Sequence, residues 1–298
     1  MDWEIKNTEL VDLGKIIGGG QFGIVKLTQW RGIKTVVKTF HTTDDYSEIT
    51  ILDEFKKMAL LHHPNIIQTL GYVDVPFGIV MEYVDGMDLD TFIKKKQRAD
   101  SIICISLMKQ LVCALAYLHR RKPEMLIHRD IKPSNILIHM PSMHLKLGDF
   151  GISKFVKEKT NSNLNLDQLE QNDFVMTQNV GTLRYMAPEV YDDTNHHEYT
   201  HKVDIWSTSM VFYMLWEKYP PNIPGVYSNI KVNEYRKLLC NGNRPFFYIT
   251  PPAIQKIMED GWQLDETKRP DALTWLDQIN NLKRQWKYDI KMKLMFYI

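Results

Sequence analysis

Residues 127–137 read IHRDIKPSNIL, an apolar run broken by His128, Arg129, Asp130, Lys132 and Asn135 within eight positions. Such a stretch is either a polar turn between two buried elements or a catalytic loop. The choice depends on what surrounds it.

Immediately upstream, residues 101–118 (SIICISLMKQLVCALAYL) are apolar on almost every side. Lys109 and Gln110 in the middle of that stretch favour a buried helix over a membrane span. Downstream come a short β-type run, ILI, and a second acidic motif, LGDFGIS at 147–153. Further back, LVDLGKII, FGIVKLTQW and IKTVVKTF are joined by the turns GGGQ and RG, which predicts an antiparallel meander over 10–40. Residues 46–61 place Ile51, Phe55, Met58 and Leu61 at helical spacing before HHPN ends the helix. Strands are expected near 66–73 and 77–82.

After Gly86 the signal turns helical, with candidates at 88–97, 101–120, 201–217, 231–239, 252–261 and 270–287. This segregation predicts an α+β fold: a small antiparallel sheet with one helix over 1–84, and a larger, mainly helical part over 85–298. A hinge near 82–88 would leave a cleft between them. The stretch VDIWSTSMVFYMLW at 203–216 is apolar all round and is expected at the centre of the helical part.

The 298 residues are 44% hydrophobic, enough for one large core or two smaller ones. Lys plus Arg number 37 against 36 Asp plus Glu, a formal charge of +1 that gives no reason to expect a nucleic-acid partner. The three cysteines, Cys104, Cys113 and Cys240, have no CxxC spacing and read as reduced core residues of an intracellular, cytoplasmic protein. The N-terminal stretch MDWEIKNTEL has no apolar run suited to a secretory signal. KEKTNSNLNLDQLEQND at 157–173 is expected to be a mobile loop.

IGGGQFGIV at 17–25 contains a GxGxxG match in Gly18, Gly20 and Gly23. A dinucleotide site needs that motif to open a helix and an acid about twenty residues later. Here the flanks read as strands, and the residue twenty after Gly18 is Lys38. Two readings remain for the glycines: a tight hairpin that needs positive φ, or a backbone cradle offering N–H groups to phosphates. Lys38 ends the third strand, and Glu54 lies near the apolar face of the following helix. Taken singly, each is an ordinary surface charge.

Taken together and in this order, Gly18–Val25, Lys38, Glu54, His128-Arg129-Asp130, Asn135, Asp149-Phe150-Gly151 and Ala187-Pro188-Glu189 resemble the protein kinase signature over nearly the whole chain. The resemblance implies ATP and Mg²⁺ as cofactors and a protein substrate, with no nucleic acid, no membrane span and a monomeric state. It implies that Asp130 orients the substrate hydroxyl, that Lys132 reaches the γ-phosphate, and that Lys38, held by Glu54, binds the α and β phosphates. Asn135 and Asp149 are the implied metal ligands, with Gly151 giving the chain freedom to turn after Asp149. Ile17, Gly18, Gly19, Gly20, Gln21, Phe22, Gly23, Val25, Val36, Met81 and Leu137 would surround the nucleotide. The backbone of Glu82 and Val84 would meet the adenine edge, and Asp88 the ribose. Glu189 should pair with Arg269, and Asp204 should brace the catalytic loop.

HRDIKPSN and GTLRYMAPE are similar to Ser/Thr rather than tyrosine kinases. Trp30-Arg31-Gly32, HHPNIIQTLGY and the KPE before the loop resemble the tyrosine-kinase-like group, including its integrin-linked-kinase-like plant and protist members. Val36, Thr69, Met87 and Ser209 depart from the family pattern without removing a catalytic group. A pseudokinase scaffold is the alternative. The resemblance also implies activation by phosphorylation, with Thr177 favoured over Thr160 and Ser162 because it lies five residues before Thr182. NHHEYTH at 195–201 reads as surface histidines rather than a metal site. The basic, apolar tail LKRQWKYDIKMKLMFYI reads as a packed last helix, with a membrane or partner contact as the second reading.

Overall fold

The computed structural model describes residues 3–20, 23–40, 48–95, 100–157, 183–191, 200–226 and 230–295. Gln21, Phe22, Thr160, Ser162, Thr177, Thr182 and the 195–197 part of the histidine cluster lie outside these residues, as does most of the Asn-rich stretch. The chain divides into two units: residues 1–92 with 133–153, and residues 93–132 with 154–298.

In the first unit, β1 (Leu10–Gly20), β2 (Gly23–Trp30), β3 (Ile33–Phe40), β4 (Thr69–Val73) and β5 (Gly78–Glu82) form one antiparallel sheet in the order β1-β2-β3-β5-β4. Period-two alternation is clear in β4, where Thr69, Gly71 and Val73 are buried and their neighbours half-buried. Ile5, Val37, Val73 and Val80 make one core cluster beneath the sheet. Helix α1 (Glu48–Ala59) buries Phe55 and Met58 as its spacing predicts, and Phe55 meets the rings of Trp3 and Tyr72 edge-on at 6.0 and 5.1 Å. A second sheet, β6 (Gly86–Asp88), β8 (Ile136–His139) and β9 (His144–Leu147), pairs segments far apart in the chain. Only the ILI strand of that sheet is legible from the sequence. Gly86 makes the pairing possible, because a Cβ there would lie 1.8 Å from the Ile138 carbonyl oxygen. Helix α2 (Leu89–Lys95) follows.

The second unit holds α3 (Ser101–His119), α4 (Lys202–Glu217), α5 (Val232–Cys240), α6 (Pro252–Gly261) and α7 (Ala272–Met295). It also contains the ladder of β7 (Glu124–Ile127) with β10 (Lys154–Lys157). Asp100 caps α3 by accepting from the Ile102 N–H at 3.0 Å. By length and hydropathy α3 could cross a membrane despite Lys109. Ten of its residues are buried, however, and Met108 accepts from the Trp216 indole N–H of α4 at 3.1 Å, so it is a core helix. All of α4 from Val203 to Glu217 is buried. Ser209, which stands where the family pattern has glycine, turns its hydroxyl back to the Ile205 carbonyl at 3.2 Å, and Gly261 opposite provides the room. A Cβ at 261 would fall 2.1 Å from the Ser209 Oγ.

Two expectations are corrected. Helix α7 runs to Met295 rather than 287, and of the three free cysteines only Cys104 is a core residue, Cys113 being half-buried and Cys240 exposed. The spacing argument fails for Cys240 because it sits at the C-terminal end of the short, strongly amphipathic α5.

The glycines of the first hairpin differ in what they tolerate. Gly23 has φ 155° and a Cβ there would lie 2.0 Å from the Thr39 carbonyl, whereas at Gly19 the nearest atom would be 3.9 Å away. Gly23→Ala should therefore destabilise by about 2 kcal/mol or more, while Gly19→Ala stays within about 0.5 kcal/mol in urea unfolding. Equal losses would refute this account of the turn.

Candidate functional site

Strand β3 positions the first group of predicted residues. Lys38 lies opposite Val25 of β2 and Ile79 of β5, on the same strand face as Val36 and away from the core residue Val37. Its ammonium donates to Glu54 Oε1 at 2.7 Å and to Asp149 Oδ1 at 3.2 Å. Three residues scattered in the sequence thus become one cluster of net charge −1. The Glu54 side chain is 2% exposed and that of Asp149 41% exposed. Burial alone would depress the Lys38 ammonium, but Glu54 and Asp149 together hold it well above the usual lysine range, so it stays charged. Burial pushes the Glu54 carboxyl up, against the pull of Lys38 and with added push from Asp149.

Glu54 Oε2 has no hydrogen-bond partner among the described residues. It packs against Gly151, where a Cβ would come within 3.3 Å of it. This corrects the expectation for Gly151. The left-handed residue at this turn is Asp149, with φ 62°, and Gly151 matters because it lets the turn approach Glu54. A non-glycine residue at positive φ stores roughly 1–3 kcal/mol of strain, so the surroundings of Asp149 must hold it there. Lys38 does so from one side. From the other, Lys57 of α1 donates to the Ser153 carbonyl at 2.9 Å, and Ser153 closes back onto Phe150 by its N–H and its hydroxyl. Lys57 was not legible as a contributor, although it lies one helical turn after Glu54.

Asn135 sits in a 3₁₀ turn, Pro133–Asn135, and its carbonyl accepts from the Gly148 N–H at 2.9 Å, joining that turn to the residue before Asp149. The exposed carboxylate surface of Asp149 and the cluster's excess of negative charge offer hard oxygen that fits a magnesium ion, and the Asn135 backbone is tied to the residue before Asp149. Gly18, Gly19 and Gly20 pair with Val25, Ile24 and Gly23 as a regular hairpin. Val36 and Met81 are cross-strand partners at 6% and 8% exposure, and Leu137 is the register partner of Asp88. Ile17 is exposed and Val25 half-buried. Glu82 gives its N–H to the Gln68 carbonyl at 3.0 Å, while its carboxylate takes Lys146 at 2.6 Å and the Gln68 N–H at 2.8 Å. Val84 is half-buried. Asp88 caps α2, accepting from the Thr91 N–H and hydroxyl, both at 2.8 Å. The Thr69 hydroxyl, 1% exposed, has no partner among the described residues.

The second unit carries His128, Arg129, Asp130 and Lys132. The Asp204 carboxylate, fully buried in the first turn of α4, accepts from the His128 N–H at 2.9 Å, the Arg129 N–H at 2.8 Å and His119 Nε2 at 2.8 Å. Burial would raise this carboxyl, yet the His119 hydrogen bond, the charges of His119 and His128 and the backbone donor outweigh it and hold Asp204 below the usual carboxylate range. Asp204 therefore braces the loop as expected, and His119 is a partner that sequence reasoning missed. Arg129 takes the left-handed conformation at φ 68°, fixed by its N–H bond to Asp204. His128 is fully buried and accepts from the Asp130 N–H at 3.3 Å. Beyond it, Lys132 Nζ lies 2.8 Å from Asp130 Oδ2. Glu189 and Arg269 form the expected pair in bidentate geometry, at 2.5 and 2.9 Å.

The sequence matches a family model described as Protein kinase domain over residues 11–279. Among curated proteins it is similar to Serine/threonine-protein kinase VIK of Arabidopsis thaliana, 32% identical over 95% of this chain and 62% of that protein. It is similar also to Serine/threonine-protein kinase 12 of the same plant, 29% identical over 89% of this chain and 56% of that protein. Human Mitogen-activated protein kinase kinase kinase 7 is 28% identical over 87% of this chain and 40% of that protein. The chain thus spans from about two fifths to three fifths of these relatives' length.

Asp204→Asn keeps the shape and removes the charge, and should cost about 3 kcal/mol at neutral pH. Because the folded carboxyl lies below its unfolded value, its contribution is present above the unfolded pKa and is lost as pH falls through the folded one. Urea titrations from neutral to acid pH should therefore show the gap between wild type and variant closing on the acid side. A constant gap would mean that charge is not the source of the effect.

Proposed function

The chain belongs to the protein kinase family, and we propose that it transfers the γ-phosphoryl group of ATP to serine or threonine hydroxyls of protein substrates. The observation that supports this most directly is the Lys38 ammonium, held 2.7 Å from Glu54 and 3.2 Å from Asp149. Phosphoryl transfer depends on positioning and charge neutralisation more than on covalent chemistry, and this lysine–glutamate pair has to be in place for it.

Lys38 is the point charge for the α and β phosphates, kept ionised and in one rotamer by its two acids. Asp149 and Asn135 would hold Mg²⁺, which when bound supplies charge neutralisation at the phosphate oxygens. Gly18–Gly23, the stretch whose sequence includes Gln21 and Phe22, brings backbone N–H groups close to phosphate. Ile17, Val25, Val36, Met81 and Leu137 form the apolar surround of the adenine. Glu82 has committed its N–H to Gln68, so its carbonyl is what it offers the adenine edge, together with the backbone of Val84. Asp88 retains lone pairs beyond those used by Thr91 and can accept from the ribose. Asp130 orients the substrate hydroxyl and accepts its proton, and Lys132, already within 2.8 Å of Asp130, neutralises the transferring phosphoryl group.

Residues 1–84 and 85–298 are read as the two lobes of an intracellular, monomeric domain. The relatives named as serine/threonine kinases support that hydroxyl class. Arg129 is the residue we assign to a phosphate on the activation segment, with Thr177 as its site.

Transfer from Mg-ATP to a generic basic protein should put phosphate on Ser or Thr and fall by about 10²–10⁴ in Asp130→Asn, with thermal unfolding unchanged. Undiminished transfer by that variant would remove Asp130 from the mechanism. Phosphopeptide mapping of active protein should find Thr177 occupied, and Thr177→Ala should lower activity. An active preparation with Thr177 unmodified would reject that regulatory site.

A further inference from the structure

Away from every residue assigned above, α3 and α7 of the second unit border an open surface cavity of about 390 Å³ lined by Lys109, Asn280, Lys283 and Arg284. Apolar packing brings these groups together. Met108, Leu111, Val112 and Leu115 of α3 and Trp275 and Ile279 of α7 are buried, and Trp216 of α4 joins the two sides. Its N–H reaches Met108 Sδ at 3.1 Å and its ring meets Trp286 edge-on at 5.7 Å. Lys109 follows Met108, and Lys283 lies one turn beyond Ile279, so burying the apolar faces forces the cations to converge.

Among the described residues the lining contains three cations, one amide and no carboxylate. None of the three cations forms an ion pair among the described residues, and Arg284 has only the Asn281 Oδ1 at 2.6 Å. Arg284 is exposed and Lys109 and Lys283 are half-buried, so the three charges are solvated and accessible to an anion from outside. A concave site of one sign attracts anions. Guanidinium and ammonium groups together match phosphoryl oxygens, and the Asn280 amide adds a neutral donor. The volume lies within the range of about 300–1,000 Å³ common for small-ligand sites.

We propose that this cavity binds a small polyphosphorylated molecule of the inositol-phosphate class, taken up either free or as the headgroup of a lipid. The site is separate from the phosphoryl-transfer machinery and does not rest on the kinase reading. It also gives the start of the basic tail a role: Lys283 and Arg284 lie on α7 and supply two of the site's three charges.

The test is calorimetric titration of the full chain with inositol hexakisphosphate at fixed ionic strength, with inorganic sulfate as competitor. Two variants are compared: the double reversal Lys283→Glu/Arg284→Glu and the neutral Lys109→Gln. Wild type should bind, sulfate should not compete at matched ionic strength, the neutral variant should lose about ten-fold in affinity, and the reversal should lose binding. Circular dichroism and transfer activity should remain those of wild type in both variants. Sedimentation with phosphatidylcholine vesicles, with and without a phosphorylated inositol lipid, separates the sources. Pelleting that needs that lipid and Lys283 assigns a headgroup, and binding confined to the soluble probe assigns a free ligand. Absence of binding to both probes, competition by sulfate, or equal binding by wild type and both variants would overturn the proposal.

Discussion

A single ammonium, Lys38, fixes the geometry of the first unit. It is bonded to residues 16 and 111 positions away in the chain, so one charge ties β3, α1 and the Asp149 turn together. The energy balance explains what this arrangement achieves. Removing Glu54 from water costs several kcal/mol, and an ion pair at such a distance in a partly polar interior is worth about the same. The cluster therefore adds little net stability and instead excludes other placements of its three charged groups. Glu54 Oε2, buried and without a hydrogen-bond partner among the described residues, and the left-handed Asp149 are the local costs of that restriction.

The second unit uses the same economy with the sign reversed. Helix α4 is apolar almost everywhere and carries one buried carboxylate near each end. Asp204 gathers the N–H groups of His128 and Arg129, while Glu217 accepts from the N–H groups of Tyr248, Ile249 and Thr250 and from the Thr250 hydroxyl. Irregular backbone has no ladder to satisfy its donors, and a carboxylate on a rigid helix substitutes for one. Asp130 is thus held by the backbone next to it rather than by contacts of its own side chain alone.

The parts legible in the sequence were those that depend on residue type and local period. The meander over 10–40, α1 and the core helices follow from turn glycines and apolar spacing; the set Lys38, Glu54, Asp130, Asn135 and Asp149 rests on a family resemblance, and the structure brings Lys38, Glu54 and Asp149 of that set together. What was missed depends on partners distant in sequence. Nothing local announces that Glu124–Ile127 will pair with Lys154–Lys157, that Lys57 will bond Ser153, or that His119 will reach Asp204. Gly151 was misread for a related reason. Sequence shows that a glycine is present but not whether it supplies positive φ or close approach, and the neighbouring Glu54 decides for the second. Ser209 looked like a defect until Gly261, 52 positions later, proved to be its complement.

The first unit is discontinuous, built from residues 1–92 and an excursion at 133–153, and this bears on the order in which the protein can form. On the ribosome, β1 through β5 are available early, but β6 must wait some fifty residues for β8. Lys38 and Glu54 can meet before their third partner exists, and Asp149 has to be inserted into a pair already made. Until residue 139 has left the exit tunnel the nascent domain carries an unpaired β6 edge. The charge cluster is therefore the last part of the first unit to close, although two of its three members are synthesised first.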